Sequence, residues 1–557
     1  MPRPLHPRPP ATSKPLKILL VSPEAVPFAK TGGLADVAGA LPRELARLGH
    51  SVRLIIPRYS SIDGTAYGLK PWMRLAVPTA SGRIHASVEK GQLVDPEVPE
   101  DRRVSVLAIR HDPYFARKGL YQEAGADYPD NLERFAFFSR AVVELLTGRH
   151  QAPGWTPDIL HAHEWQTALC IVYMRTLYAK RPGLKGIRTL FTLHNLGYQG
   201  LFPGSSFPKT GLGRGLFTPK RLEFYGSVNL VKGGLLFADF LSTVSPTYSQ
   251  EIQTAECGFG LERILRERQG QLVGITNGVD IEAWNPAADR YLPSRYSASD
   301  LSGKRGCKAA LQREMHLPVR DVPLLVAVSR LTAQKGLDLL GEILPELMAL
   351  DLQVVLLGTG DPPLEERFRS LHARYPAKIG LRIGFDDGLA HRIEAGGDLF
   401  LMPSRYEPCG LNQLYSLRYG TVPVVRRTGG LADTVVPYSP QTIQAGEATG
   451  FRFGEATPEA LLTTILLALR VYAQRDEWQA LMRAGMQTEM SWVKPAKAYA
   501  ALYRRVLDEC RGSASTKKEG RVRLEARPAT KKSEGRKGSR DGVAPGRRGP
   551  GQRSRHT

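Results

Sequence analysis

The chain has 557 residues, 42% of them apolar and 23% charged, enough for roughly two to four packed domains and too apolar for disorder throughout. The formal net charge is +22, yet residues 511–557 hold fifteen Lys/Arg against four Asp/Glu, so half of what looks like a nucleic-acid signal belongs to one terminal stretch. Five scattered cysteines (Cys170, Cys257, Cys307, Cys409, Cys510) make no C-x-x-C pair, which excludes a zinc ribbon or a dithiol motif and fits a reducing cytoplasm.

Residues 1–15 carry six prolines and few apolar groups and read as a disordered arm without chemistry. The run 16–21, interrupted by Lys17 and bounded by Pro15, Ser22 and Pro23, is too short for a signal-peptide core and predicts a first β-strand. No stretch approaches the roughly 18 to 20 apolar residues that cross a bilayer, so no membrane partner is expected. A glycine-containing loop and a helix over 34–48, ended by Gly49, come next. The alternation recurs with strands at 51–56, 159–163, 188–193 and 241–244 and a helix over 131–147. A second series repeats it with strands at 324–328, 353–357, 381–383, 399–402 and 422–425 and helices over 336–349 and 411–419. Such alternation makes parallel sheets covered by helices. The predicted class is α/β, with two Rossmann-like doubly wound domains, 16–268 and 269–490, facing a cleft. Helices over 458–475 and 495–507 follow, the latter within a segment 491–510, and 511–557 reads as a disordered basic tail suited to polyanions. No fixed-period repeat suggests a solenoid or propeller.

In doubly wound sheets, ligands sit beyond the carboxyl ends of the strands, so the loops there are informative. After the first strand come Lys30, Thr31, Gly32, Gly33, Leu34, Ala35 and Asp36. Two glycines let backbone N–H groups approach an anion, the next helix offers its positive end, and Lys30 adds a cation. Neither G-x-x-x-x-G-K-[ST] nor a G-x-G-x-x-G after a strand is present, which excludes a P-loop and supports no dinucleotide cofactor. Arg330 and Lys335 share the loop after 324–328. They suit a diphosphate, because Arg grips oxygens in a fork while Lys acts as a point charge. After 399–402, Pro408 and Gly410 set a tight entry into a helix, and Glu407 is a carboxylate among cations, costly unless it pairs or holds hydroxyl groups or developing positive charge. Thr428, Gly429, Gly430, Leu431, Ala432 and Asp433 echo residues 31–36. Two matching loops in two matching domains predict a site in the cleft between them. His161 and His163 share one face of a strand end, before Glu164 and Trp165. A metal pair has no third ligand in view, and one histidine at the cleft with the other packed in the sheet is expected. No D-x-D occurs, so no metal is expected and cationic side chains must neutralise the diphosphate.

With these residues in order, the chain resembles bacterial glycogen synthases and plant starch synthases, retaining glucosyltransferases of the GT-B fold that use ADP-glucose. The resemblance spans about 17–507 and rests on an ordered set. It runs from Lys30 to Leu34, through Asp130 and Asn131 with Arg134 and Phe135, His161 to Trp165, and His194, Asn195 and Leu196 before Tyr198, Gln199 and Gly200. It continues with Asn277 to Asp280 before Trp284, Asn285 and Pro286, Ser329 and Arg330 with Gln334 to Gly336, Pro403 to Leu411, and Arg427 to Leu431. It implies that Arg330 and Lys335 hold the diphosphate, that Lys30, Gly32 and Gly33 close on it from the first domain, and that Glu407 and Asp130 hold the glucose with His163 beside it. It also implies that Asp36, Asn277, Cys409, Gly410 and Leu411 line the donor site and that the segment 491–510 crosses back onto the first domain. Phe385 stands where the family commonly has Tyr against the nucleobase, so stacking survives without a hydroxyl. Glu164 replaces the usual Asp, and the arm and tail have no counterpart.

The implied reaction moves glucose from ADP-glucose to the 4-hydroxyl at the non-reducing end of an α-1,4-glucan such as glycogen, with retention and with no cofactor. No carboxylate pair is placed as in retaining glycosidases, so a front-face route is expected in which the leaving phosphate helps to deprotonate the acceptor. A glycogen phosphorylase would need pyridoxal phosphate on a lysine, which these motifs do not suggest. A non-catalytic glucan binder would not need Lys30, Arg330, Lys335 and Glu407 together.

Overall fold

Each short apolar run becomes a buried strand in one of two sheets. The computed structural model describes residues 14–123, 125–147 and 155–525; the start of the expected arm, 1–13, and most of the expected tail, 526–557, lie outside the described residues. The first sheet has nine strands in the order Leu272–Gly274, Phe240–Thr243, Arg188–Leu193, Ile159–His163, Lys17–Val21, Ser51–Pro57, Ser105–Arg110, Gly82–Gln92, Lys70–Thr79. All pairs are parallel except those made by Gly82–Gln92, which is antiparallel to both neighbours. Ile18 to Val21 are fully covered, as expected for a central strand buried on both faces, and this is why the strand reads as an unbroken apolar run. The second sheet has six parallel strands: Ile379–Ile383, Gln353–Gly358, Leu324–Val328, Leu399–Met402, Val422–Arg426, Phe451–Phe453.

The structure departs from the sequence reading in several places, among them the strands Ser105–Arg110 and Phe451–Phe453, which were not predicted. The hairpin of Lys70–Thr79 and Gly82–Gln92 was not anticipated, because its strands are only partly buried and rich in charged residues. The domain boundary at 268/269 falls too early: Leu272–Gly274 pairs with Phe240–Thr243 and so completes the first sheet, a strand too short to show a period. The helix expected over 458–475 is two, Pro458–Tyr472 and Arg475–Gln487.

The first turns of the last helix, Val493–Glu525, pack against the first sheet: Ala496, Tyr499, Leu502, Tyr503 and Val506, with Trp492 just before the helix, lie in the same apolar cluster as Ile18 and Leu160. Residues up to Leu507 form one unit; of the second, from Asp508, the helical backbone to Glu525 is described. That backbone runs past the expected end at 510, through a stretch rich in Lys, Arg, Glu and Ala, which favour helix. No helix is long and apolar enough to cross a membrane, among the described residues.

Candidate active site

On the second lobe the loops after Leu324–Val328 and Leu399–Met402 touch at a glycine. Gly336 has φ 65°, and a Cβ there would lie 2.0 Å from the Pro403 carbonyl oxygen, so only glycine permits the approach. The contact sets Lys335 Nζ 2.5 Å from Glu407 Oε2, and Ser404 Oγ donates to the same oxygen at 2.9 Å. Glu407 is buried. Arg330 is exposed and turns to the first lobe, where its Nη1 donates to the Tyr198 hydroxyl at 2.7 Å. The two cations expected to converge are thus differently engaged, one on a buried carboxylate and one across the lobes. Burial pushes the Cys409 thiol up to about 12, against an opposing hydrogen bond from the Asn277 backbone. Asn277 Oδ1 is buried without a protein partner.

On the first lobe, buried Glu24 pins the glycine loop. It accepts the Thr31 N–H at 2.5 Å, the Thr31 hydroxyl at 2.9 Å and the Tyr121 hydroxyl at 3.2 Å, and burial still raises its pKa against these bonds. Lys30 Nζ pairs with Asp36 at 2.8 Å; burial raises Asp36 in spite of this cation. A Cβ on Gly32 would meet nothing within 4 Å, while one on Gly33 would lie 3.2 Å from Leu411 Cδ1. The first loop therefore faces Leu411 of the second lobe with Gly32 open. Asp130 precedes the helix Asn131–Leu146 but is gripped by Arg117 in a fork, Nη1 at 2.7 Å and Nη2 at 2.5 Å. Burial pushes its pKa up, and Arg117 outweighs it and holds it low. Phe385 is 86% exposed on the loop after Ile379–Ile383.

The histidines sort themselves by partner. His161 is bonded at both nitrogens, to Tyr503 Oη at 2.8 Å and to Thr192 Oγ1 at 2.5 Å. The His163 ring lies tilted against it, 4.0 Å between centroids, and bonds through Nδ1 to His194 Nε2 at 3.0 Å, leaving its buried Nε2 without a partner. Burial pushes His161 and His163 well below the usual histidine range and His194 down to about 3, so all three are neutral. Glu164 holds φ 65°, and its carboxylate accepts the N–H of His194 and, at 3.0 Å, of Asn195; burial raises it to about 7. His194 and Asn195 were visible as a motif after a strand, yet nothing local in the sequence shows that His194 is the neighbour of His163.

The second glycine loop is filled from within. Glu251, ending the helix Pro246–Glu251 of the first lobe, accepts the Thr428 hydroxyl and the Gly429 N–H, each at 3.0 Å. Asp433 accepts the Thr247 hydroxyl at 2.5 Å. Cβ atoms on Gly429 and Gly430 would strike the carbonyls of Glu407 and Cys409, so this loop docks the lobes and supports the 407–409 backbone. The symmetry expected between the two loops does not extend to their use. A cavity of about 340 Å³ bounded by Tyr114, Glu133, Phe137, Arg140, Tyr173 and Lys209 is lined by none of the residues above. No cluster of three metal-ligating side chains occurs among the described residues.

Residues 17–267 match the family model described as the starch synthase catalytic domain, and residues 310–481 that of glycosyl transferases group 1. Over 492 residues the chain is 49% identical to the glycogen synthase of Anaeromyxobacter sp. (strain Fw109-5), an alignment covering 88% of this chain and 99% of the relative. It is 46% identical over 499 residues to the glycogen synthase of Syntrophotalea carbinolica, covering 88% and 99%. Among solved structures, the catalytic domain of starch synthase IV from Arabidopsis thaliana, bound to ADP and acarbose, superposes with a TM-score of 0.80 at 34% identity, covering 89% of this chain and all of that one.

Proposed function

The chain belongs to the glycogen and starch synthase family and is a GT-B glycosyltransferase, and on that premise we propose that it passes glucose from ADP-glucose to the 4-hydroxyl at the non-reducing end of an α-1,4-glucan, with retention. The observation that carries this reading is the pair of partly buried Lys335 and buried Glu407 at the carboxyl ends of two parallel strands, with the open loop of Gly32 and Gly33 opposite.

In this reading Lys335 and Arg330 take the diphosphate, and Lys30 with the N–H groups at the start of the helix Gly33–Arg47 closes on it from the other lobe. An arriving diphosphate competes for Lys335 and frees Glu407 to hold sugar hydroxyls. His163 offers its unpartnered nitrogen to the glucose, with Asp130 beside it, and Asp36, Asn277, Cys409, Gly410 and Leu411 shape the donor pocket under the nucleobase platform of Phe385. As the bond from C1 to the phosphate oxygen breaks, negative charge grows on ADP, where fixed cations stabilise the transition state more than the ground state. The same phosphate takes the proton of the acceptor hydroxyl while the new C1–O4 bond forms on the same face. ADP and acarbose in the Arabidopsis relative support an adenine-nucleotide donor.

The test is transfer to glycogen from ADP-glucose and from UDP-glucose. Faster transfer from ADP-glucose is expected; transfer from UDP-glucose alone would correct the donor, and none from either would end this reading. We place the reaction in the cytoplasm, which suits the unpaired Cys170, Cys257, Cys307 and Cys409. The basic tail we assign to polyanion contact on its charge. Removing 512–557 should leave kcat and the donor KM within about twofold and weaken any salt-sensitive polyanion binding.

A further inference from the structure

Four non-glycine residues among those described hold φ in the left-handed region: Glu164, Tyr225, Phe259 and His316. Two of these carry exposed rings at positions where turn chemistry asks for something else. Phe224 pairs with Ser227, so Tyr225 and Gly226, at φ 48° and 80°, form a two-residue hairpin turn with both φ positive, whose first position suits Asn, Asp or Gly. Phe259 ends the helix Ala255–Gly258 at φ 48°, ψ 37°, the position glycine fills most easily. Neither ring gains full burial in exchange for the backbone cost: Tyr225 is 86% exposed and Phe259 38%. Strain that packing does not repay points to function.

The two rings belong to one row. Tyr225 meets Phe224 at 4.7 Å between centroids, and Gly260 is pressed against both, its Cβ position 2.8 Å from the Phe224 ring. The neighbouring Phe259 ring meets Tyr406 edge-on at 5.4 Å. Tyr406 adjoins Glu407 in the chain, and its hydroxyl and the Phe259 ring both flank Gly197, next to Tyr198 on Arg330. From beneath, Gln199 Nε2 donates to the Phe259 carbonyl at 3.1 Å, and buried Asn229 fixes Gln199 at 2.6 Å. A row of rings with a braced backbone thus leads outward from the residues that hold the donor.

A pyranose has an apolar C–H face that packs on an aromatic ring and a rim of hydroxyls that stays in water, so spaced rings suit successive units of an uncharged glucan. We propose that Tyr406, Phe259, Phe224 and Tyr225 form a stacking row for the acceptor glucan, holding the units behind the non-reducing end that receives glucose. The proposal rests on the reading that the site extends an α-1,4-glucan, and its occupant follows from the continuity of the row with that site.

The variants Tyr225→Asn and Phe259→Gly give both turns the residues they prefer while deleting the rings. In the double variant the ratio of KM for maltoheptaose to KM for maltose should rise about tenfold, the scale of two lost ring contacts, with a Tm equal to or above the parent's; Tyr225→Phe, which keeps the ring, should keep the parental ratio. A ratio equal to the parent's in the double variant, or a lowered Tm with both KM values rising together, would overturn the row. Calorimetric titration of maltoheptaose into parent and double variant separates this from the function reading. A parent that binds maltoheptaose about tenfold more tightly supports the row even if it transfers no glucose, and equal affinities reject it even if it does.

Discussion

Lys335 and Lys30 are both lysines on loops that follow the carboxyl end of a parallel strand, and they are held quite differently. The Lys335 side chain is 18% exposed and sits on a buried carboxylate at 2.5 Å; that of Lys30 is 42% exposed and leans on Asp36 at 2.8 Å beside an open glycine. A buried pair is costly to separate, because either charge left alone lacks both water and partner, whereas a pair at the surface is screened and weak. The second lobe therefore holds its lysine firmly on Glu407, whereas the first lobe holds Lys30 only by a partly exposed pair.

The largest effect should come from the firmly held pair. Glu407→Ala should lower kcat at least about a hundredfold in a chain that still folds, checked by steady-state transfer alongside circular dichroism; near-normal turnover would move the reacting sugar elsewhere. Lys335→Ala and Arg330→Ala should each lower kcat/KM for the donor by several kcal/mol, on the order of 3. Thermal melting then divides them: Lys335→Ala strands a buried carboxylate and should lower Tm, while Arg330→Ala, at the surface, should not. Lys30→Ala should be milder, raising donor KM roughly tenfold or less, with the difference from the parent shrinking as salt is added. A loss equal to that of Lys335→Ala would break the contrast between the two lysines.

The smallest effect is one of pH and belongs to the scaffold. His161, His163 and His194 are kept neutral by burial, the last at about 3, whereas an unfolded histidine takes a proton near 6.5. The unfolded chain binds more protons below that value, so these groups contribute stability in full above about pH 6.5 and lose it as the pH falls. Glu164, raised to about 7, slopes the other way between its unfolded value and 7, as do Glu24 and Asp36, which burial also raises. The histidine share is read as a difference: between pH 7.5 and 5.5 the change in Tm of the parent should be more unfavourable than that of His194→Gln.

The central strands of both sheets were legible because Ile18 to Val21 and Leu324 to Val328 are continuous apolar runs next to glycine loops, a local pattern with a local cause. The loops holding Lys335 and Glu407 were legible by residue type, since cations and a carboxylate after parallel strands have few other uses. What could not be read depends on partners distant in the chain. Glu251 fills the loop of Thr428 and Gly429 from the other lobe, and Arg117 occupies Asp130. Tyr225 looks like an ordinary aromatic until its φ is known.

The last helix has a consequence for how the protein is made. Trp492, Tyr499 and Tyr503 complete the apolar cluster of the first lobe, and the Tyr503 hydroxyl bonds to His161 beneath His163. On the ribosome the first lobe therefore emerges early with a gap in its core, which closes only after the whole second lobe has been translated. At about 5–20 residues per second that interval lasts on the order of tens of seconds. During it the uncovered face of the sheet is a natural client for chaperones, and a message cut short before codon 492 would yield two nearly whole lobes and an unfinished core.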